Sequence, residues 1–224
     1  MNDNQLIQNY RQVTSQLKLA NQQSNAKSVA TLLAVSKTKP DTDIRTLFML
    51  GQRDFGENYL QEALEKQAKL TDLPIIWHYI GSIQRNKTKD IAKNFDWVHT
   101  IERELVAKRL NDQRGDLPPL NVLIQVNIDG EATKSGVRPN ELLGLVHAIK
   151  DLPNLRLRGI MVIPNQDGSD AFLRTKLLFD EVGATCQLAD WNVLSMGMSG
   201  DMVEAVACGS TIVRVGKALF GARE

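Results

Sequence analysis

The sequence predicts an α/β fold: one closed (β/α)8 barrel with an extra helix at its N-terminus. Three observations carry this expectation. Eight short apolar runs alternate with helix-length amphipathic segments, as parallel strands joined by crossovers require. Several runs are continuously apolar, which suits strands covered on both faces. No dinucleotide-type glycine fingerprint follows the first run, which favours closure over an open sheet. Such barrels typically take roughly 250 residues, and the 224 present are enough if the loops are short. No linker or composition shift marks a second unit, so residues 1–224 are expected to form a single domain.

Taken in order, Leu6, Ile7, Tyr10, Val13, Thr14 and Leu17 fall on one helical stripe, and the polar stretch 21–28 ends that first helix. The apolar runs are 31–36, 53–56, 75–80, 96–100, 121–127, 157–163, 192–196 and 211–215. Asp41 is placed to cap a helix burying Ile44, Leu47 and Phe48, with Gly51 as its stop. The loop 112–119, with Pro118 and Pro119, reads as a surface connection. Asp201 and Glu204 have capping-box spacing, and Gly209 stops that helix.

Lysine and arginine number 27 against 26 acidic residues, so no basic excess points to nucleic acid. The polar N-terminus carries no charged-then-apolar leader, and no apolar run approaches the ~20 residues of a membrane span. Cys186 and Cys208 stand far apart with no metal or redox spacing, and a reduced cytoplasmic setting is the simple expectation.

In a barrel of this type, reactive groups sit at the C-terminal ends of strands and in the loops that follow. Lys37 comes directly after the first run. A lysine there can form an imine with a carbonyl compound once its amine loses a proton. An unperturbed lysine is free base to under about a thousandth at neutral pH, and burial or a nearby cation such as Lys39 would raise that fraction. On position alone, a solvated strand-end lysine is the commoner outcome.

Ser195-Met196-Gly197-Met198-Ser199-Gly200-Asp201 lies between the seventh run and its helix, and its hydroxyls and glycines make an anion cradle. The plain alternative is a tight turn whose serines cap the helix. At the eighth run, Gly216 permits close backbone approach to a ligand, with Arg214 one pleat earlier; a surface ion pair is the alternative for Arg214. Phosphate sites in barrels often use the loops after strands seven and eight. Joined to a lysine on strand one, they narrow the ligand to a phosphorylated carbonyl compound, either pyridoxal phosphate or a sugar phosphate. Asn58 ends the second run and can reach a ligand oxygen or start a helix. His78 reads as a packed, hydrogen-bonded residue, while His99 and His147 belong to no visible triad or metal set.

These stretches resemble the pyridoxal phosphate homeostasis protein family, TIM-type relatives of the N-terminal barrel of alanine racemase. The resemblance runs through Ala34-Val35-Ser36-Lys37, Phe55-Gly56-Glu57-Asn58-Tyr59, Trp77-His78-Tyr79-Ile80-Gly81 and Gln84-Arg85-Asn86-Lys87. It continues through Gly159-Ile160-Met161, Leu194 to Ser199, Val213-Arg214-Val215-Gly216 and Leu219-Phe220-Gly221. It implies that Lys37 holds pyridoxal 5′-phosphate as a Schiff base. It also implies that Ser199, Ser195 and the backbone at Gly216 bind the phosphate, that Arg214 faces the pyridine nitrogen, and that Asn58 contacts the cofactor near its ring. The interval between Pro164 and Leu194 is short and leaves the length of its helix open.

The function implied is vitamin B6 homeostasis: a cytoplasmic monomer that binds the cofactor, buffers it or passes it to apoenzymes, and has no strong catalytic activity. An arginine at the ring nitrogen fits this, because a guanidinium keeps its proton and leaves the ring a poor electron sink. The alternative is an amino-acid racemase. It needs a second acid/base group that alanine racemase takes from another domain, leaving Tyr10, Tyr59 and Tyr79 as formal candidates. A lysine-dependent aldolase, or a barrel that only recruits partner proteins, completes the set.

Overall fold

In the computed structural model, which describes residues 3–26, 28–165 and 170–221, eight parallel strands pair in sequential order and close into a barrel. The strands are β1 (Thr31–Val35), β2 (Asp54–Glu57), β3 (Ile76–Tyr79), β4 (Trp97–Ile101), β5 (Leu120–Val126), β6 (Leu155–Val162), β7 (Val193–Ser195) and β8 (Ile212–Val215). Closure comes from β8 pairing with β1, with Thr31 opposite Ile212 and Leu33 opposite Arg214. Around them run α1 (Asp3–Gln23), α2 (Asp41–Met49), α3 (Leu60–Lys69), α4 (Thr88–Asn94), α5 (Glu104–Arg114), α6 (Pro139–Ile149), α7 (Ala171–Cys186), α8 (Met202–Ala207) and α9 (Lys217–Phe220).

The continuous apolar runs are explained by two cores. Strand side chains alternate faces: Leu33, Leu123, Met161, Val193 and Ile212 fill the barrel interior, with Ile80 and Trp97 packed on them. Their neighbours Ala34, Val122, Ile160, Leu194 and Val213 face the helices in the larger outer core. The interior is not wholly apolar. His78, His99, Ser195 and Arg214 share strand faces with Ile80, Trp97, Val193 and Ile212, and all four are buried.

The first helix extends into the polar stretch and buries Leu6, Val13, Leu17 and Ala20 against the side of the barrel, over α2, α8 and α9. Three expectations about helix ends need correction or completion. Pro40, not Asp41, occupies the cap of α2, and Asp41 is its first helical residue. At α8, Asp201 does hold the cap position, but no side-chain cap bond forms. Its carboxylate instead accepts the N–H of Met198 and closes the preceding loop. The helix of open length between Pro164 and Leu194 is α7, with 16 residues. Among the described residues no helix is long and apolar enough to cross a membrane, and no group of three metal-ligating side chains forms.

Candidate functional site

Lys37 sits half-buried at the barrel mouth, two residues beyond the end of β1. Its loop is held from below. Ser36 N–H donates to Gly56 O at 3.0 Å, and Lys39 N–H donates to Ser36 O at 3.0 Å. A buried ionic cluster lies beneath. Glu57 Oε1 accepts from Ser36 Oγ at 2.6 Å and from Lys66 Nζ at 2.8 Å. Lys66 Nζ also donates to Ser36 O at 2.8 Å and to Glu62 Oε1 at 2.6 Å. The same Glu62 oxygen accepts the N–H of Thr38 at 2.6 Å. Both neighbours of Lys37 in the chain are therefore tied to one charge cluster. Thr38 pays for this with φ +63°, a left-handed conformation that β-branched residues rarely adopt. Burial raises the Glu57 carboxyl above its ordinary pKa, while the Lys66 ammonium pulls it back.

Lys37 opens onto a cavity of about 340 Å³, lined also by Val35, Lys39, Gly216, Lys217 and Phe220. Three lysines and the backbone at Gly216 thus share one opening over β1 and β8, a setting that attracts an anion. Gly216 also serves the closure of the barrel. A Cβ there would lie 3.3 Å from the carbonyl oxygen of Val35, so the glycine lets the end of β8 close against β1.

Asn58 lines a second opening of about 240 Å³ over β3 to β6, shared with Ser82, Thr100, Gln125, Asn127 and Lys134. Its Oδ1 is buried with no hydrogen-bond partner. The backbone here is tight, since a Cβ on Gly81 would stand 2.1 Å from Asn58 O.

Arg214 lies two residues before Gly216, buried inside the barrel. Nη1 donates to Ser195 O at 2.8 Å and Ser195 Oγ at 2.9 Å, and Nη2 donates to Val162 O at 2.8 Å. Burial lowers its pKa to about 10, which leaves it cationic at neutral pH. The expected phosphate contact of Ser195 is not supported. Its side chain is fully buried, and its Oγ is engaged by Arg214 and by His99 Nδ1 at 3.2 Å. Ser199 is exposed in the loop after β7 and lines neither opening. The structure therefore groups Lys37 with Gly216 and Arg214 with Ser195, and it sets Asn58 in a separate opening.

The alanine racemase N-terminal domain family matches residues 8–224. A pyridoxal phosphate homeostasis protein of Pseudomonas aeruginosa is 54% identical over 201 residues, 86% of this chain and 84% of that protein. One from Escherichia coli K12 is 47% identical over 201 residues, 87% of this chain and 86% of that protein. This chain belongs to the pyridoxal phosphate homeostasis protein family. Within that family's fold, the structure of PipY from Synechococcus elongatus without PLP is 37% identical, with a TM-score of 0.81 over 91% of this chain and 98% of that one. The PLP-bound PipY structure is 36% identical, with a TM-score of 0.79 and the same coverage. Alanine racemase from Corynebacterium glutamicum, 19% identical at TM-score 0.70, shares the fold over 99% of this chain and 61% of its own.

Proposed function

We propose that this chain binds pyridoxal 5′-phosphate through Lys37 and serves intracellular homeostasis of that cofactor without turning over a substrate of its own. The observation that carries the reading is the shared cavity of Lys37, Lys39, Lys217 and Gly216, with Arg214 two residues deeper on the same strand. The residues present fit the cofactor. Lys39, Lys217 and a backbone rim suit its phosphate, Lys37 its aldehyde, and the unpartnered Asn58 Oδ1 offers an acceptor to a ligand hydroxyl or N–H.

When bound, the cofactor supplies an aldehyde for an amine and a conjugated ring that can accept electrons. The Glu57–Lys66–Glu62 cluster fixes the backbone on both sides of Lys37 and so directs its amine. Lys39 and Lys217 bring positive charge to the phosphate end beside the Gly216 backbone; the Ser199 hydroxyl, exposed in the loop after β7, is assigned to the phosphate by the family resemblance alone. Arg214 meets the ring nitrogen as a cation that keeps its own proton, which withholds the protonation most carbanion chemistry needs.

The racemase alternative needs an opposing acid, and the three tyrosines considered for it do not stand at this cavity. Tyr79 is buried and donates to Ser82 O at 3.1 Å, and none of Tyr10, Tyr59 and Tyr79 lines the cavity of Lys37. The reading takes residues 1–224 as one domain and a monomer of the cytoplasm, exchanging cofactor with apoenzymes and touching neither nucleic acid nor membrane. Borohydride reduction of the protein with pyridoxal 5′-phosphate, followed by peptide mass mapping, tests it. A pyridoxyl group on Lys37 is expected; an unmodified Lys37 at saturating cofactor overturns the proposal.

A further inference from the structure

Inside the barrel, two buried histidines on adjacent strands face one another: His78 Nδ1 lies 2.9 Å from His99 Nε2. The pair continues at both ends. His78 Nε2 lies 3.0 Å from Asp54 Oδ1 at the start of β2, and His99 Nδ1 lies 3.2 Å from Ser195 Oγ at the end of β7. Ser195 Oγ in turn accepts from Arg214 Nη1 at 2.9 Å.

With one proton on each ring, the donors in this chain run in one direction. The Asp54 carboxylate only accepts, so His78 carries its proton on Nε2 and accepts at Nδ1 from His99 Nε2–H. His99 Nδ1 then accepts the Ser195 hydroxyl hydrogen, and Ser195 Oγ in turn accepts from Arg214. The surroundings hold both rings in place. Trp97 stacks on His78 at 5.4 Å between ring centroids and 5° between planes, and it meets His99 edge-on at 6.1 Å. The charged groups facing the pair are Asp54 at one end and Arg214 at the other; burial, then the neighbouring His78 and Arg214, hold His99 neutral.

We propose that Asp54, His78, His99 and Ser195 are positioning residues for Arg214, a one-way hydrogen-bond chain from the barrel floor that fixes the guanidinium beneath the cofactor mouth. The placement of Arg214 at the ring nitrogen rests on the function proposed above; the chain itself does not.

The chain contains three histidines, which makes it readable by NMR of ¹⁵N-histidine-labelled protein without cofactor. His78 and His99 are each expected to carry one proton, on Nε2, with His99 remaining so below the ordinary imidazole range. An Nδ1–H tautomer at either ring, or a His99 that gains a second proton at the ordinary imidazole pKa, overturns the proposal. In protein loaded with pyridoxal 5′-phosphate, Ser195→Ala is expected to shift the visible absorbance band and its pH midpoint and to weaken binding about tenfold, while Ser195→Thr restores all three. A Ser195→Ala band, midpoint and affinity equal to wild type refutes the link to Arg214. Wild-type protein that takes up no cofactor overturns the proposed function instead, and the tautomers then decide the chain.

Discussion

The ammonium of Lys66 lies 2.8 Å from the carbonyl oxygen of Ser36, the residue immediately before Lys37, and 2.8 Å from the carboxylate of Glu57. A helix residue thirty positions downstream thereby holds the peptide from which the cofactor lysine projects.

Replacing Lys66 by Met leaves Glu57 buried without its counter-charge, and breaking such a pair costs about 3–5 kcal/mol. Burial already raises the Glu57 carboxyl, so the folded state holds that proton more tightly than the unfolded chain does. Stability from this group is full below the ordinary carboxylate range and is lost as pH rises through its folded pKa. The deficit of Lys66→Met is therefore largest near neutral pH and shrinks on acidification. Urea unfolding of both proteins across the acid range measures it, and a deficit that stays constant with pH would count against an uncompensated Glu57.

His99 gives a dependence of the opposite sign. Burial first, then its neighbours His78 and Arg214, push its imidazole well below the ordinary 6.5. Its contribution is complete above the unfolded pKa and is lost as pH falls below about 6.5 toward the folded value, by up to ~1.4 kcal/mol per pH unit. Glu57 opposes this trend in both proteins and cancels in the difference. His99→Gln should flatten the decline in unfolding free energy between neutral and mildly acid pH relative to wild type. Parallel slopes would mean that His99 is not held neutral in the folded chain.

The barrel was legible in the sequence because strands buried on both faces leave long apolar runs, and the position of Lys37 and Gly216 at its mouth because strand ends form that mouth. Ser195 was misplaced for a specific reason. Its loop reads as an anion cradle by composition, yet Ser195 shares a face with Val193, which lies in the barrel interior. Strand parity would have turned it inward. The pairing of His78 with His99 and of Glu57 with Lys66 depends on inter-strand register and on the angle at which α3 crosses β2. No local pattern in one sequence encodes those quantities. Only the four-residue spacing of Glu62 and Lys66 hinted at the second cluster.

Gly81 offers a test of the tight backbone around Asn58. A methyl group there meets a carbonyl oxygen at 2.1 Å, and backbone cannot yield as a flexible side chain would. Gly81→Ala is expected to cost about 3 kcal/mol or more. The control is Gly144 in α6, where a Cβ meets nothing within 4 Å. Gly144→Ala should stabilise by about 0.5–1 kcal/mol, since alanine is the better helix former. Thermal denaturation separates the two, and similar small effects at both positions would show that the loop at Asn58 relaxes freely.

Asn58 Oδ1 is a buried acceptor without a partner, and an unmet acceptor of that kind costs about 1–3 kcal/mol unless a ligand satisfies it. Asn58→Leu removes the polar atom and keeps most of the volume. Without cofactor the variant should be as stable as wild type or more stable by about 1 kcal/mol, because a cost has been removed and no bond lost. With pyridoxal 5′-phosphate its affinity should fall about tenfold, or ~1.4 kcal/mol, because the group left unmatched in the free protein is then missing from the bound one. Denaturation midpoints without cofactor and a binding titration by absorbance read the two effects separately. A variant that loses stability yet binds the cofactor as tightly as wild type would make Asn58 a structural residue and leave its unpaired oxygen unexplained.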